Sequence, residues 1–211
     1  MARKLKTDIS GPDWRVGLEE ACEKGWPSLF ARPALPLVVE IGFGRGEFLA
    51  DLAARAPQQC FVGIDYSAKR ALKLARRLAR GEIQNVRLLG AAAQEAVTRA
   101  IPDASVRCFW INFPDPWPKK RHFKRRLITP AFARELVRCL EPGAAVEVAT
   151  DHPGYADWIH QVLSGTPGLE NDHAPQPWRA TPEAGRMPTA YELEWRALGH
   201  AFHFFRYRRG S

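Results

Sequence analysis

The chain has 211 residues, 45% of them apolar and 10% aromatic, and a formal charge of +8. That is enough apolar material for one sizeable core but not clearly for two, and no stretch approaches the ~18 apolar residues of a membrane span. Four widely spaced cysteines, Cys22, Cys60, Cys108 and Cys139, form neither a CxxC pair nor a zinc pattern, so free thiols are expected and no metal is implied.

Residues 1–12 carry Arg3, Lys4 and Lys6 with little to bury and read as a flexible arm; residues 13–211 read as one domain. The start lacks the apolar core of a signal peptide, which points to the cytoplasm. Asp13 to Lys24 spaces Trp14, Leu18 and Cys22 for one helical face, and Trp26 to Pro36 is a connector. Leu37 to Ile41 is the first strand. It runs into Gly42, Gly44 and Gly46 and then a helix ending near Arg55, the order by which an open α/β sheet brings backbone amides up to a ligand.

Cys60 to Ile64 is a second strand and ends in Asp65, an acid placed to accept hydrogen bonds from ribose hydroxyls. Glu40 precedes the glycines, where a carboxylate would sit badly beside a pyrophosphate. The pattern therefore favours a nucleoside cofactor without phosphate, and S-adenosylmethionine fits. Ser67 to Arg80 is a helix with Lys69, Lys73, Arg76 and Arg80 along one face, Arg70 and Arg77 beside them. Such a stripe either tracks phosphates or is a solvated surface. Asn85 to Leu89 is a third strand, followed by Ala91-Ala92-Ala93, where a polar contact to adenine is not obvious, and by a short helix from Gln94 to Ala100.

Val106 to Phe113 is a buried strand that meets a polarity inversion. Pro114, Pro116 and Pro118 are expected to push Phe113, Asp115 and Trp117 into extended conformations, which makes a stiff loop around the Asp115 carboxylate. Lys119, Lys120, Arg121, Lys124, Arg125 and Arg126 follow, a cation cluster suited to a polyanion. Thr129-Pro130 starts a helix ending near Leu140, Ala144 to Thr150 is a fifth strand, and a helix from Gly154 to Leu163 follows Asp151-His152-Pro153. His152 reads as structural or exposed. A weak strand lies near Leu169. After the loop to residue 188, Thr189 caps a helix in which Glu192 is expected to reach back to the cap amide, and Ala201 to Arg209 is a final strand.

VEIGFGRGEFL, GIDYS, NFPDPWPKKRHFKRR, ATDHPGYADWI and PTAYE, in that order, resemble the bacterial tRNA (guanine-N7)-methyltransferases, roughly from Leu29 to Arg209. The proline-rich motif with its basic tail is the specific one. The resemblance implies a Rossmann-like class I S-adenosylmethionine-dependent α/β fold, with a mostly parallel sheet, an antiparallel last strand and helices on both faces. It implies tRNA as partner, with its target at guanine 46 of the variable loop, and a monomer or homodimer. Cofactor contacts are implied for Glu40, Gly42, Gly44, Gly46, Asp65 and Asn112, and Asp115 is the implied catalytic acid. Lys119, Asp151, Thr189, Ala190, Tyr191 and Glu192 would meet the guanosine, while Lys120, Arg121, Lys124, Arg125 and Arg126 would touch RNA. Two other readings stay open: a methyltransferase for exocyclic adenine amines, and an inert RNA-binding protein that keeps the fold.

Overall fold

Leu37–Ile41 and Cys60–Ile64 are buried at every position, as strands covered on both faces must be. The structure, a computed structural model, describes residues 8–31 and 36–210. The strands are β1 (Arg15–Val16), β2 (Leu37–Ile41), β3 (Cys60–Ile64), β4 (Val86–Leu89), β5 (Val106–Asn112), β6 (Leu140–Thr150), β7 (Leu169–Asn171) and β8 (His203–Arg209). They form one sheet in the order β1-β4-β3-β2-β5-β6-β8-β7. Pairing is parallel from β1 to β6, while β8 runs antiparallel between β6 and β7.

The helices are α1 (Leu18–Lys24), α2 (Trp26–Leu29), α3 (Glu47–Arg55), α4 (Ala68–Arg80), α5 (Ala93–Ala100), α6 (Pro130–Cys139), α7 (Pro153–Ser164) and α8 (Ala190–Arg196). On one face α3 and α4 bury Leu49, Ala53, Leu74 and Leu78 against Val38, Phe61 and Leu88. On the other, α5, α6 and α7 bury Val97, Phe132, Leu136, Tyr155 and Ile159 against Val39, Phe109 and Val146. The expected fold class holds, antiparallel last strand included.

Three local expectations are corrected. The helix expected from Asp13 starts at Leu18, because Arg15 and Val16 pair with Leu88 and Leu89 and satisfy the open edge of β4. Asp13 forms an ion pair with Arg15 at 2.6 Å. The connector after Trp26 contains α2, whose Trp26 indole donates to the Ala100 carbonyl at 2.6 Å. The arm expected over residues 1–12 falls partly outside the described residues. Its remainder lies on α4, where the Asp8 carbonyl accepts from Arg76 Nε at 3.0 Å.

The long loop after β7 is tied down. Arg179 and Phe204 exchange two backbone hydrogen bonds of 2.9 Å, and Asp172 pairs with Arg206 and Arg208. Among the described residues no helix is long and apolar enough to cross a membrane.

Candidate active site

From β2 the chain steps outward through β3 and β4, then returns past its start to β5, so the strand order reverses between β2 and β5. In an open parallel sheet the carboxyl ends of two such strands part to leave a crevice. Glu40 and Gly42 stand at the end of β2, Asn112 and Asp115 at the end of β5. Two joined clefts open there. One, of about 450 Å³, is lined by Gly42, Asp65, Tyr66, Ala91, Ala92, Ala93, Gln94, Asn112, Asp115, Trp117 and Arg125. The other, of about 400 Å³, is lined by Glu40, Gly42, Gly44, Phe48, Asn112, Asp115, Thr189, Ala190 and Tyr191. Asp115, Asn112, Gly42 and Arg70 border both, so the acid of the proline loop faces the glycine turn.

The turn is held by its backbone. Gly44 has φ +55° and donates its N–H to Asp65 Oδ2 at 3.2 Å. Gly46 has φ +78°, and a Cβ there would meet Leu74 at 2.5 Å, so it shapes the entry to α3 and does not line either cleft. Asp65 also accepts from Ser67 N at 2.8 Å and from Arg70 at 3.4 Å. Glu40 is 2% exposed; Oε1 accepts from Asn112 at 3.4 Å, and Oε2 has no partner among the described residues. Burial pushes its carboxyl up to about 8, against the Asn112 hydrogen bond and the Arg186 charge, which both pull it down. A buried carboxylate oxygen left without a donor beside a glycine turn fits a ligand that brings a hydroxyl or ammonium group.

Phe113 and Trp117, expected to be extended, have φ +52° and +43°. A following proline disfavours the right-handed helical region, and tertiary contacts select the left-handed one here at about 1–3 kcal/mol each. The Phe113 ring packs on Tyr191 at 4.9 Å and Phe202 at 5.6 Å; Trp117 lies under the Arg125 guanidinium at 4.9 Å. Asp115 thus sits between two strained residues, each pinned by aromatic packing. Tyr191 in turn donates to Asp151 at 2.9 Å, and burial raises its hydroxyl to about 12, with Asp151 adding to the shift.

Two expected roles are corrected by burial. Arg126 is 3% exposed and cannot reach RNA: its guanidinium lies over Phe123, Tyr155 and Trp158 and donates to the Pro116 carbonyl at 3.0 Å. Glu192 is 1% exposed, and its carboxylate does not turn to the cap amide, though Thr189 does cap α8. It pairs with Arg186 at 2.6 Å and Arg196 at 2.8 Å, which close it off from the cleft that Thr189, Ala190 and Tyr191 line. Lys119, Lys120, Arg121 and Lys124 are exposed on or beside a 3-10 turn over Lys120–Arg125, outside both clefts. His152 caps α7 by accepting from Tyr155 N at 3.1 Å, as a structural histidine would.

The sequence reading missed Arg186. It projects from the loop after β7, is almost fully buried, and donates to both Glu192 and Asn112. Its signal was faint: an arginine six residues before an acid reads as loop charge unless that acid is known to be buried.

The reversed strand order, with the glycine turn and two acids at the ends of β2 and β3, defines a Rossmann-like protein with a crevice at its switch point, and solved methyltransferases share its fold. The 16S rRNA methyltransferase KamB superposes with a TM-score of 0.62 at 17% identity, covering 83% of this chain and 88% of that one. A family model described as putative methyltransferase matches residues 34–205, and the chain belongs to the tRNA (guanine-N7)-methyltransferase family. A tRNA (guanine-N(7)-)-methyltransferase of Acidithiobacillus ferrooxidans is 43% identical over 176 residues, covering 82% of this chain and 76% of the relative. One from Alkalilimnicola ehrlichii is 38% identical over 210 residues, covering 92% and 87%. The [4+2]-cyclase SpnF superposes at 0.59 and 14% identity, covering 83% of this chain and 75% of its own, so the fold alone does not set the reaction.

Proposed function

We propose that the chain transfers the methyl group of S-adenosyl-L-methionine to N7 of guanine 46 in the variable loop of tRNA, in the cytoplasm. The observation that carries this reading is the joined cleft, in which Asp115 borders both the half lined by Asp65 and residues 91–94 and the half lined by the glycine turn with Thr189, Ala190 and Tyr191. Glu40, Gly42, Gly44 and Asp65 would hold the cofactor, with Asn112 positioning Glu40. When bound, the cofactor supplies a methyl on a sulfonium, an electrophile whose leaving group departs as a neutral thioether.

Guanine N7 already presents an in-plane lone pair, so no base has to create the nucleophile. The new N–C bond takes that pair, the C–S pair stays on sulfur, and no proton moves. Alignment is then the main task. Asp115 faces the positive charge that develops on the imidazole ring, and its strained, proline-bounded loop fixes the carboxylate before substrate arrives. Tyr191 and Thr189 border the base side. Ala91-Ala92-Ala93 offers no side-chain hydrogen bond to adenine, and both ends of the Asn112 amide are committed, to Glu40 and Arg186. Backbone groups of residues 91–94 and the Gln94 side-chain amide, which lines the cleft, are left to meet the adenine edge.

Labelled methyl transfer to unfractionated tRNA, followed by nucleoside analysis, tests the reading. It expects 7-methylguanosine. Label on an exocyclic amine would favour the adenine alternative, and tRNA binding without transfer would favour an inert module.

A further inference from the structure

Exposed arginines and lysines over most of this surface are neutralised. Lys24, Arg55, Arg99, Arg179, Arg196 and Arg208 each pair with a carboxylate. Two elements hold most of the exceptions, although Arg134 of α6 and Lys119 beside the 3-10 turn are also exposed without an ion pair among the described residues. Lys120, Lys124 and Arg125 of the 3-10 turn have no carboxylate within ion-pair distance among the described residues, and neither do Lys69, Lys73, Arg77 and Arg80 of α4, although all are exposed. Helix α4 has no acidic residue, so it cannot neutralise itself through i,i+4 pairs. Its inward face is committed to the core through Ala71, Leu72, Leu74, Ala75 and Leu78.

The two elements share a border. Arg70, in the first turn of α4, and Arg125, at the end of the basic turn, line the same cleft, one following β3 and the other β5, strands that flank β2 on opposite sides. At 3.6 residues per turn Lys69, Lys73 and Arg80 fall on one line, which runs from the cleft mouth along a helix about 20 Å long. We propose that α4 is a second tRNA-binding surface, which carries the phosphate backbone away from the site on the side opposite the basic turn. This rests on the proposed tRNA substrate and adds a docking track that the motif residues do not supply. Unpaired cations beside the cleft lower the cost of bringing a polyanion to it. A cation held in an ion pair would have to give up its partner first.

The test is the full chain with Lys69→Gln, Lys73→Gln and Arg80→Gln together, none of which lines either cleft. Calorimetry with S-adenosylmethionine should give wild-type affinity, which shows an intact fold. Titration with tRNA across salt should show binding weaker by about ten- to a hundredfold at low salt. The slope of log affinity against log salt should fall by about two. Unchanged affinity and slope, where the wild type binds tRNA, overturns the proposal and leaves the substrate reading intact. Unchanged tRNA binding with lost binding to phosphatidylserine vesicles also overturns it, assigning the helix to a membrane surface. Absence of tRNA binding by the wild type overturns both readings.

Discussion

Arg186 donates to Asn112 Oδ1 at 2.8 Å through one nitrogen and to Glu192 Oε2 at 2.6 Å through another, so a loop residue fixes a side chain at the end of β5. With its oxygen held by a cation, the Asn112 amide must turn its NH2 toward Glu40. One guanidinium therefore aligns both walls of the cleft. Arg186→Met leaves Glu192 with Arg196 alone and should lower stability by about 3 kcal/mol in denaturant unfolding. It should also weaken cofactor binding by calorimetry. Adding Glu192→Gln should restore much of the stability without the cofactor affinity, and Arg186→Lys should recover part of both. Recovery of cofactor binding by Glu192→Gln alone would show that Arg186 does not orient Asn112.

Asp115→Asn keeps the size of the side chain and removes its charge. If that charge faces the cation forming on guanine, kcat should fall by about 10²–10³ while cofactor affinity holds. Rapid-quench methyl transfer at saturating tRNA measures it, and full turnover by the variant would remove Asp115 from the chemistry.

The Glu40 carboxyl, pushed up to about 8 by burial, ties cofactor binding to pH. A ligand that donates to Glu40 prefers the ionised form. Affinity should therefore rise about tenfold per pH unit as pH climbs toward 8, then level off, with a proton released on binding below that point. Calorimetry in buffers of different ionisation enthalpy counts the proton, and Glu40→Gln should flatten the profile. For the free protein the sign is opposite. A folded carboxyl raised above its unfolded value of 4.5 contributes stability at low pH, which is lost as pH rises through about 8.

Arg126→Leu separates structure from RNA contact. Losing the stack on Phe123, at 3.7 Å, and the bond to Pro116 should destabilise the proline loop by about 1–3 kcal/mol. The salt slope of tRNA binding should not change. A slope reduced by about one would return Arg126 to the RNA surface.

The parallel core was legible because its strands are buried on both faces and their apolar runs are bounded by turn residues. Leu37–Ile41 and Cys60–Ile64 fall where composition places them. Arg15–Val16 was not legible: two residues recruited to an edge carry no period, and Trp14, Leu18 and Cys22 imitate a helical face. Within the site, Glu40, Asp65 and Asp115 stand at strand ends, where a carboxylate after an apolar run is conspicuous. The fates of Arg126 and Glu192 depend on partners far off in sequence. A cation in a basic run looks exposed until Tyr155 and Trp158 are known to lie beneath it, and an acid three residues after Thr189 looks like a cap until Arg186 arrives. The left-handed backbone at Phe113 and Trp117 is likewise a demand of packing that no local preference announces.

Strand β8 occupies an interior lane of the sheet although it is synthesised after both of its neighbours. While a nascent chain still lacks residues 203–209, the long β6 presents a bare row of amides and carbonyls, and β7 lacks its strand partner. The Arg179–Phe204 bridge, which anchors the loop delivering Arg186, waits on the same segment. Ribosome-bound chains thus expose β6 to mispairing until that segment emerges, and the loop that carries Arg186 gains this anchor only then.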